Sequence, residues 1–251
     1  MSFQFGPFNT AAVPGITATL KAWPGPALKP ETVELLDGAF YARTGLAPVT
    51  FTFDVLLSAA SPAAVHALRD QLVAGVAPTL GLQALVPETG AGWVWWAATS
   101  HLSEFTRGLW LNGVECQLLA ELSFLVPDGV GWANPDDTAQ GVTSATITRT
   151  RGNLPSYPKL TLTGPFGGVR VTVGGFVLDV AVPVAAGQRL ELDYQAMDFG
   201  VWAGSVKVAH AAEGMSRFDR LMLPMGPSTI TAAATSGAVS SLAVAANSRR
   251  G

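Results

Sequence analysis

The sequence predicts a mainly β protein of two domains, the first carrying a single flanking α-helix. Three observations support this. Short runs of alternating apolar and polar residues recur along most of the chain. Only one segment, at about 61–76, has the three- and four-residue apolar spacing of a helix. A polar, turn-rich stretch from Pro127 to Thr143 separates the half containing that helix from a half that has none. At 251 residues the chain is long enough for two ordinary domains. The expected division is a first domain over 1–135, a linker over 136–148 and a second domain over 149–251.

The first half opens with loops rich in Pro and Gly, then a short strand at Thr32–Leu36 ended by the hairpin signal Asp37-Gly38. Pro48 to Leu57 is the clearest early strand: Val49, Phe51, Phe53, Val55 and Leu57 share one face, and Thr50, Thr52 and Asp54 the other. Ser61-Pro62 then supplies an N-cap and a proline at the first helical position, where a missing N–H costs nothing. Val65, Leu68, Leu72 and Val76 follow as one apolar stripe, and Gly75 and Pro78 close the helix. Strands are expected again at Leu80–Val86, Gly92–Thr99 and His101–Arg107. A long run from Leu109 to Val126 reads as one strand that bends at Asn112-Gly113.

Beyond the linker, strand signals recur about every ten residues without a helix, the pattern of a β-sandwich or jelly roll. Arg149 to Pro165 reads as the entry to this domain, with a Gly152-Asn153 turn, extended residues before Pro155 and Pro158, and the alternating Lys159–Thr163 run. Gly167-Gly168 and Gly174-Gly175 read as hairpin turns, and Phe218–Leu223 as a strand.

Charged residues make up 13 %, about half the usual share of roughly 25 %. Such a surface either meets other subunits or lies near a membrane. No apolar run reaches the roughly 18–20 residues of a span, and the opening MSFQFGPF lacks the basic and apolar regions of a secretory signal. The expectation is a soluble protein that loses surface to assembly. The net charge of −3, with no basic cluster longer than Arg249-Arg250, argues against sequence-specific nucleic-acid binding. The single Cys116 excludes an internal disulfide and a cysteine metal cage, and its place in an alternating run reads as a buried thiol.

Convergent polar groups are scarce. His66, His101 and His210 accompany no nucleophile elbow, and His101 and Glu104 fall on opposite faces of a predicted strand. Glu191 and Asp193 share a strand face and are the best pair for a hydrolase, although a solvated strand face explains them more simply. Asn134 with Asp136 and Asp137 could offer oxygens to calcium, but Asx-turns account for them equally. No cofactor or metal site is expected. The aromatic residues offer more. Trp93 and Trp95 share a strand face and Trp96 takes the other, a cluster read as a subunit contact. Trp202 is the candidate for stacking on a sugar ring.

The second half resembles the C-terminal domain of the distal tail proteins of siphophages, whose tails are long and non-contractile. The resemblance rests on ordered stretches: Gly152-Asn153, Ser156-Tyr157-Pro158 and Leu160–Pro165, the Val169–Leu178 hairpin, Ala186–Asp193, and Ser216-Arg217-Phe218 through Leu223–Gly226. This chain departs from the pattern after Gly226, where Pro227-Ser228 follow and the usual asparagine is absent. The plan of the first half, strands around one amphipathic helix, is similar to the first domain of that family. The resemblance implies a tail-tube-like β-sandwich or split barrel followed by a galectin-like β-sandwich. It further implies a structural virion protein at the distal end of the tail, not an enzyme. Such a protein forms a homohexameric ring that joins the tail-tube protein to the tail-tip hub, with a channel for the tape-measure protein and then DNA. The alternative is a carbohydrate-binding module that uses Trp202 for attachment to the host surface.

Overall fold

The computed structural model describes residues 2–25, 28–35, 38–87 and 92–250, apart from the side chains of 28–35 and 38–45. The chain divides between Asn134 and Pro135 into two compact units.

In the first unit, β1 (Gln4–Phe5), β2 (Phe8–Asn9) and β3 (Ile16–Leu20) precede a separate antiparallel pair, β4 (Leu28–Leu35) and β5 (Gly38–Leu46). Leu35 pairs with Gly38, and Leu36 of the expected strand and Asp37 of the expected Asp37-Gly38 turn lie outside the described residues. Next come β6 (Val49–Ala59), helix α1 (Pro62–Gly75), β7 (Gln83–Val86), β8 (Trp93–Leu102), β9 (Thr106–Leu111), β10 (Glu115–Val126) and β11 (Gly131–Ala133). The main sheet runs β2-β1-β7-β8-β10-β6-β3, with β9 also on β10 and β11 on β8. The expected single strand from Leu109 to Val126 is in fact the β9–β10 hairpin. Gly113, at φ +83°, reverses the chain instead of bending it, and Glu115 pairs back onto Leu111.

Alternation decides which face of this sheet is covered. Phe51, Phe53, Val55 and Leu57 of β6 face Leu118, Leu122 and Phe124 of β10 within one buried cluster that also takes Phe3, Phe5 and Leu85. Helix α1 packs onto β6 and β10. Ser61 caps it, its hydroxyl accepting from Ala64 N at 3.3 Å, and Val65, Leu72 and Val76 are buried as the stripe predicts. Burial of each such side chain contributes about 1.5–3 kcal/mol. Gly75 matters through packing: a Cβ there would lie 2.4 Å from the Phe8 ring.

The second unit is a two-sheet sandwich built from β12 (Thr138–Gly141), β13 (Ser144–Arg149), β14 (Lys159–Thr163), β15 (Phe166–Val173), β16 (Phe176–Val180), β17 (Gln188–Asp193), β18 (Asp198–Ala203), β19 (Val206–His210), β20 (Gly226–Gly237) and β21 (Ser241–Ala245). One sheet runs β12-β21-β14-β17-β18-β19 and the other β13-β20-β15-β16. Their inner faces form one cluster, with Leu160, Leu190, Leu192 and Val201 from the first sheet and Ile147, Val171, Leu178 and Ile230 from the second.

Three expectations are corrected here. The segment 136–148 is no linker, because β12 pairs with β21 and β13 with β20 inside the sandwich. Gly167-Gly168 is a register irregularity within β15, whereas Gly174-Gly175 does turn between β15 and β16. Residues 217–222 form a loop: Leu221 and Leu223 are buried like strand residues, but only two isolated bridges, Met215 to Val180 and Leu223 to Ser156, flank the segment.

Candidate functional site

The three tryptophans of β8 have different environments. Trp95, 4 % exposed, belongs to its own core, with its ring 5.0 Å from that of Phe51 and 5.8 Å from that of Trp23. It is therefore not available to a neighbouring subunit. A side chain on Gly131, which pairs with Trp95, would come within 2.7 Å of the indole. Trp93 is half-buried against the same cluster. Trp96, on the opposite face, is 50 % exposed and opposes Ala84 across the ladder.

That opposite face is divided in character. At the β7–β8 side it is apolar: Trp96, Ala84 and Ala98 are joined by exposed Leu125, which opposes Ala98. Across β10, β6 and β3 it is mainly polar, interrupted by the paired Leu56 and exposed Leu119. Thr19, Asp54 and Glu121 form one cross-strand row, and Lys21 Nζ binds Asp54 Oδ1 at 3.3 Å and the Glu121 carboxylate. Those hydrogen bonds hold Glu121 below, and Lys21 above, their ordinary pKa values. The Thr52 and Ser123 hydroxyls meet at 3.0 Å, and Ser58 Oγ and Gln117 Nε2 both donate to Glu115 Oε1, at 2.9 and 2.6 Å. Hydrogen bonds from Gln117 and Ser58 lower the Glu115 pKa. The stripe's one lysine is thus matched by two carboxylates.

In the second unit, Trp202 stands between Arg189 of β17 and Lys207 of β19, its directly paired residues. The Arg189 guanidinium carbon lies 6.0 Å from the indole centroid and Lys207 Nζ 5.1 Å. A sugar ring would compete with these cations for the indole face. Lys207 also pairs with Asp198.

The carboxylates considered for chemistry are engaged structurally. Glu191 Oε2 accepts from Lys159 Nζ at 2.7 Å and Oε1 from Arg189 Nε at 2.5 Å. Burial would raise this carboxyl, but those two bonds outweigh it and hold Glu191 below the usual range, as an anion. Asp193 Oδ1 accepts from the backbone N–H groups of Gln195 and Ala196, at 3.0 and 2.9 Å. Asp136 accepts from Asn247 N and Ser248 N, and Asp137 from Thr150 N and Oγ1. Asp136 thus ties the start of the second unit's chain to its end and Asp137 holds the turn after β13, and among the described residues no cluster suits a metal ion. Cys116 is fully buried. His66 lies 6.2 Å from Trp110, ring to ring, while His101, near the end of β8, and His210, at the end of β19, are exposed.

No protein-family model and no curated protein sequence matches the chain. Solved structures do. The Dit protein of phage SPP1, described as a paradigm of the hub adsorption apparatus in phages infecting Gram-positive bacteria, aligns with a TM-score of 0.67 at 10 % identity over 99 % of this chain and 98 % of that one. This chain has the Dit fold. The phage P2 baseplate in its activated conformation with Ca aligns with a TM-score of 0.51 at 8 % identity, over 100 % of this chain and 98 % of that one. The same baseplate with Sr gives 0.50 at 8 % identity over the same shares. A mainly β chain with one α-helix among the described residues is what the sequence predicts and what the fold shows.

Sequence reasoning missed the residues that shape the Dit-like chain's second surface, around Tyr157. Arg149, Arg220 and Arg249 are far apart in sequence, so no basic cluster is visible until the sandwich folds. Nor did the Phe218–Leu223 pattern distinguish an anchored loop from a strand.

Proposed function

We propose that this chain is a structural component of a phage or phage-derived tail, the distal tail protein that joins the tail tube to the tip complex. The observation that carries this reading is the end-to-end alignment with the SPP1 hub protein, spanning nearly all of both chains. The protein would sit in the virion tail after synthesis in the host cytoplasm. Its neighbours would be the tail-tube protein, the tape-measure protein and the tail-tip hub, and it would act without enzymatic chemistry or a cofactor.

In this reading the first unit closes a homohexameric ring, and the second, galectin-like unit makes peripheral contacts. The low charge content supports assembly, because obligate interfaces are large and poor in charge. Trp96, with Ala98 and Leu125, is an apolar part of the sheet's outer face and would be covered by the next copy. The polar stripe of Thr19, Thr52, Asp54 and Glu121 would face the channel. A wall of hydroxyls and carboxylates whose lysine is already matched offers phosphates no counterion-releasing contact, so DNA would slide past it. The test is electron microscopy of tails carrying a labelled copy of the chain. Label at the junction of tube and tip is the expected result, and label elsewhere, or none, overturns the reading.

A further inference from the structure

The loop Ser216–Met225 displays Phe218, Met222 and Met225 with 55, 56 and 53 % of their surfaces exposed, while its neighbours Leu221 and Leu223 are buried in the sandwich core. Exposed large apolar residues on a soluble domain are unremarkable singly, but three on one short segment mark a contact surface. The loop is anchored. Ser216 N donates to Asp179 O at 2.9 Å and Leu223 N to Ser156 O at 3.0 Å. Arg149, only 4 % exposed, clamps it to the domain-entry loop, with Nη1 donating to Leu223 O at 3.1 Å and Nη2 to Leu154 O at 2.5 Å.

Charge gathers at the same place. The exposed Arg220 guanidinium lies 5.1 Å from the Tyr157 ring centroid and that of Arg249 4.8 Å, with Arg149 beneath. Arg249 Nε and Nη2 both donate to Pro155 O, at 3.1 and 2.6 Å. Burial lowers the basicity of Arg249; Tyr157 opposes this, and the charges of Arg220 and Arg149 reinforce it. Three like charges are thus held together in a chain of net charge −3. Asp219 pairs with Arg217, and Asp136 and Asp137, whose oxygens serve the backbone, offset part of the Arg149 charge, which leaves Arg220 as the cation open to a partner. Among the described residues neither Arg149 nor Arg220 forms an ion pair.

We propose that this face of the second unit docks a protein segment that presents a carboxylate flanked by apolar side chains. The carboxylate would take the Arg220 fork, which matches its two oxygens, and the apolar side chains would lie on Phe218, Met222 and Met225. Arginine, tyrosine and methionine are the residue types that interface centres concentrate, and methionine adapts its shape to what it meets. Anchoring by Leu221, Leu223 and the Arg149 clamp fixes the loop before binding, so little ordering is lost on contact. A nucleic acid fits less well, since its phosphates need a track of cations and the exposed neighbours of Arg220 are the apolar Phe218 and Met222 and the carboxylate of Asp219. The inference stands on this surface alone and is independent of the tail assignment.

The test uses the full chain and labelled synthetic peptides followed by fluorescence anisotropy. The probes are an alternating Leu–Glu peptide, a Leu–Lys peptide, a Ser–Glu peptide and a single-stranded oligonucleotide of equal charge. The Leu–Glu peptide is expected to bind most tightly, with affinity reduced at least about tenfold by Arg220→Glu and severalfold by Met222→Ser. Both positions are exposed, so an unshifted melting temperature checks that the variants remain folded. The proposal is overturned if Leu–Glu does not bind, if Leu–Lys, Ser–Glu or the oligonucleotide binds as well, or if folded Arg220→Glu binds unchanged.

Discussion

Trp95 and Trp96 are neighbours in sequence and lie on opposite faces of β8, so one fills the core and the other meets solvent. The alternation was legible in the sequence; which face is the core was not, because both faces of β8 carry apolar residues. Trp95→Ala is expected to cost about 3–5 kcal/mol in urea unfolding, as large-to-small changes in aromatic cores do. Trp96→Ala should change monomer stability by no more than about 0.5 kcal/mol and instead weaken self-association in sedimentation. Glu191 gives a second residue-scale prediction. Its folded pKa is depressed, so its stabilising contribution is present above the unfolded value of about 4.3 and is lost as pH falls through the lower folded value. Melting temperatures followed from pH 6 to pH 3 should therefore fall less steeply for Glu191→Gln than for the parent chain. The sequence reading of Glu191 as part of a solvated strand face understated its burial between Lys159 and Arg189.

Elements with a strong local signature were legible, and those defined by pairing were not. Helix α1 follows from its Ser61 cap and apolar stripe. Leu72→Ala should lower stability by about 2–5 kcal/mol in a denaturant melt. Gly75→Ala is expected to destabilise too, although alanine gains about 1 kcal/mol in an exposed helix, because the new methyl would lie 2.4 Å from the Phe8 ring. A thermal scan of that variant separates packing from propensity. Strand limits were harder to read. A period of two continues unbroken through a tight turn, so Leu109–Val126 looked like one strand and became the β9–β10 hairpin. Polar turn residues around Asp136-Asp137 resembled a linker, whereas β12 and β13 gain their stability from partners about 80–110 residues later in the chain. The loop from 217 to 222 shows the converse error, core-directed leucines without a ladder.

At the scale of the molecule, the predominance of strands could be read from the sequence, because alternating apolar and polar runs recur along most of the chain. The agreement of fold with the SPP1 hub protein at 10 % identity means that the shared feature is architecture, not surface chemistry. The surface of this chain must therefore supply its own evidence for assembly, in the divided outer face of the first sheet. If the polar stripe lines a channel for DNA, lysines introduced at Thr19 and Thr52 should slow genome ejection, and more strongly at low salt, because the added cations hold phosphates. Ejection timed in single particles would show it. The most direct measurement is a symmetry-averaged electron cryomicroscopy reconstruction of the tube–tip junction. The account predicts a closed ring of this chain there, with Asp54 and Glu121 facing the lumen and Trp96 covered by the next copy. A junction without this chain, or a ring with helix α1 facing the lumen, would contradict it.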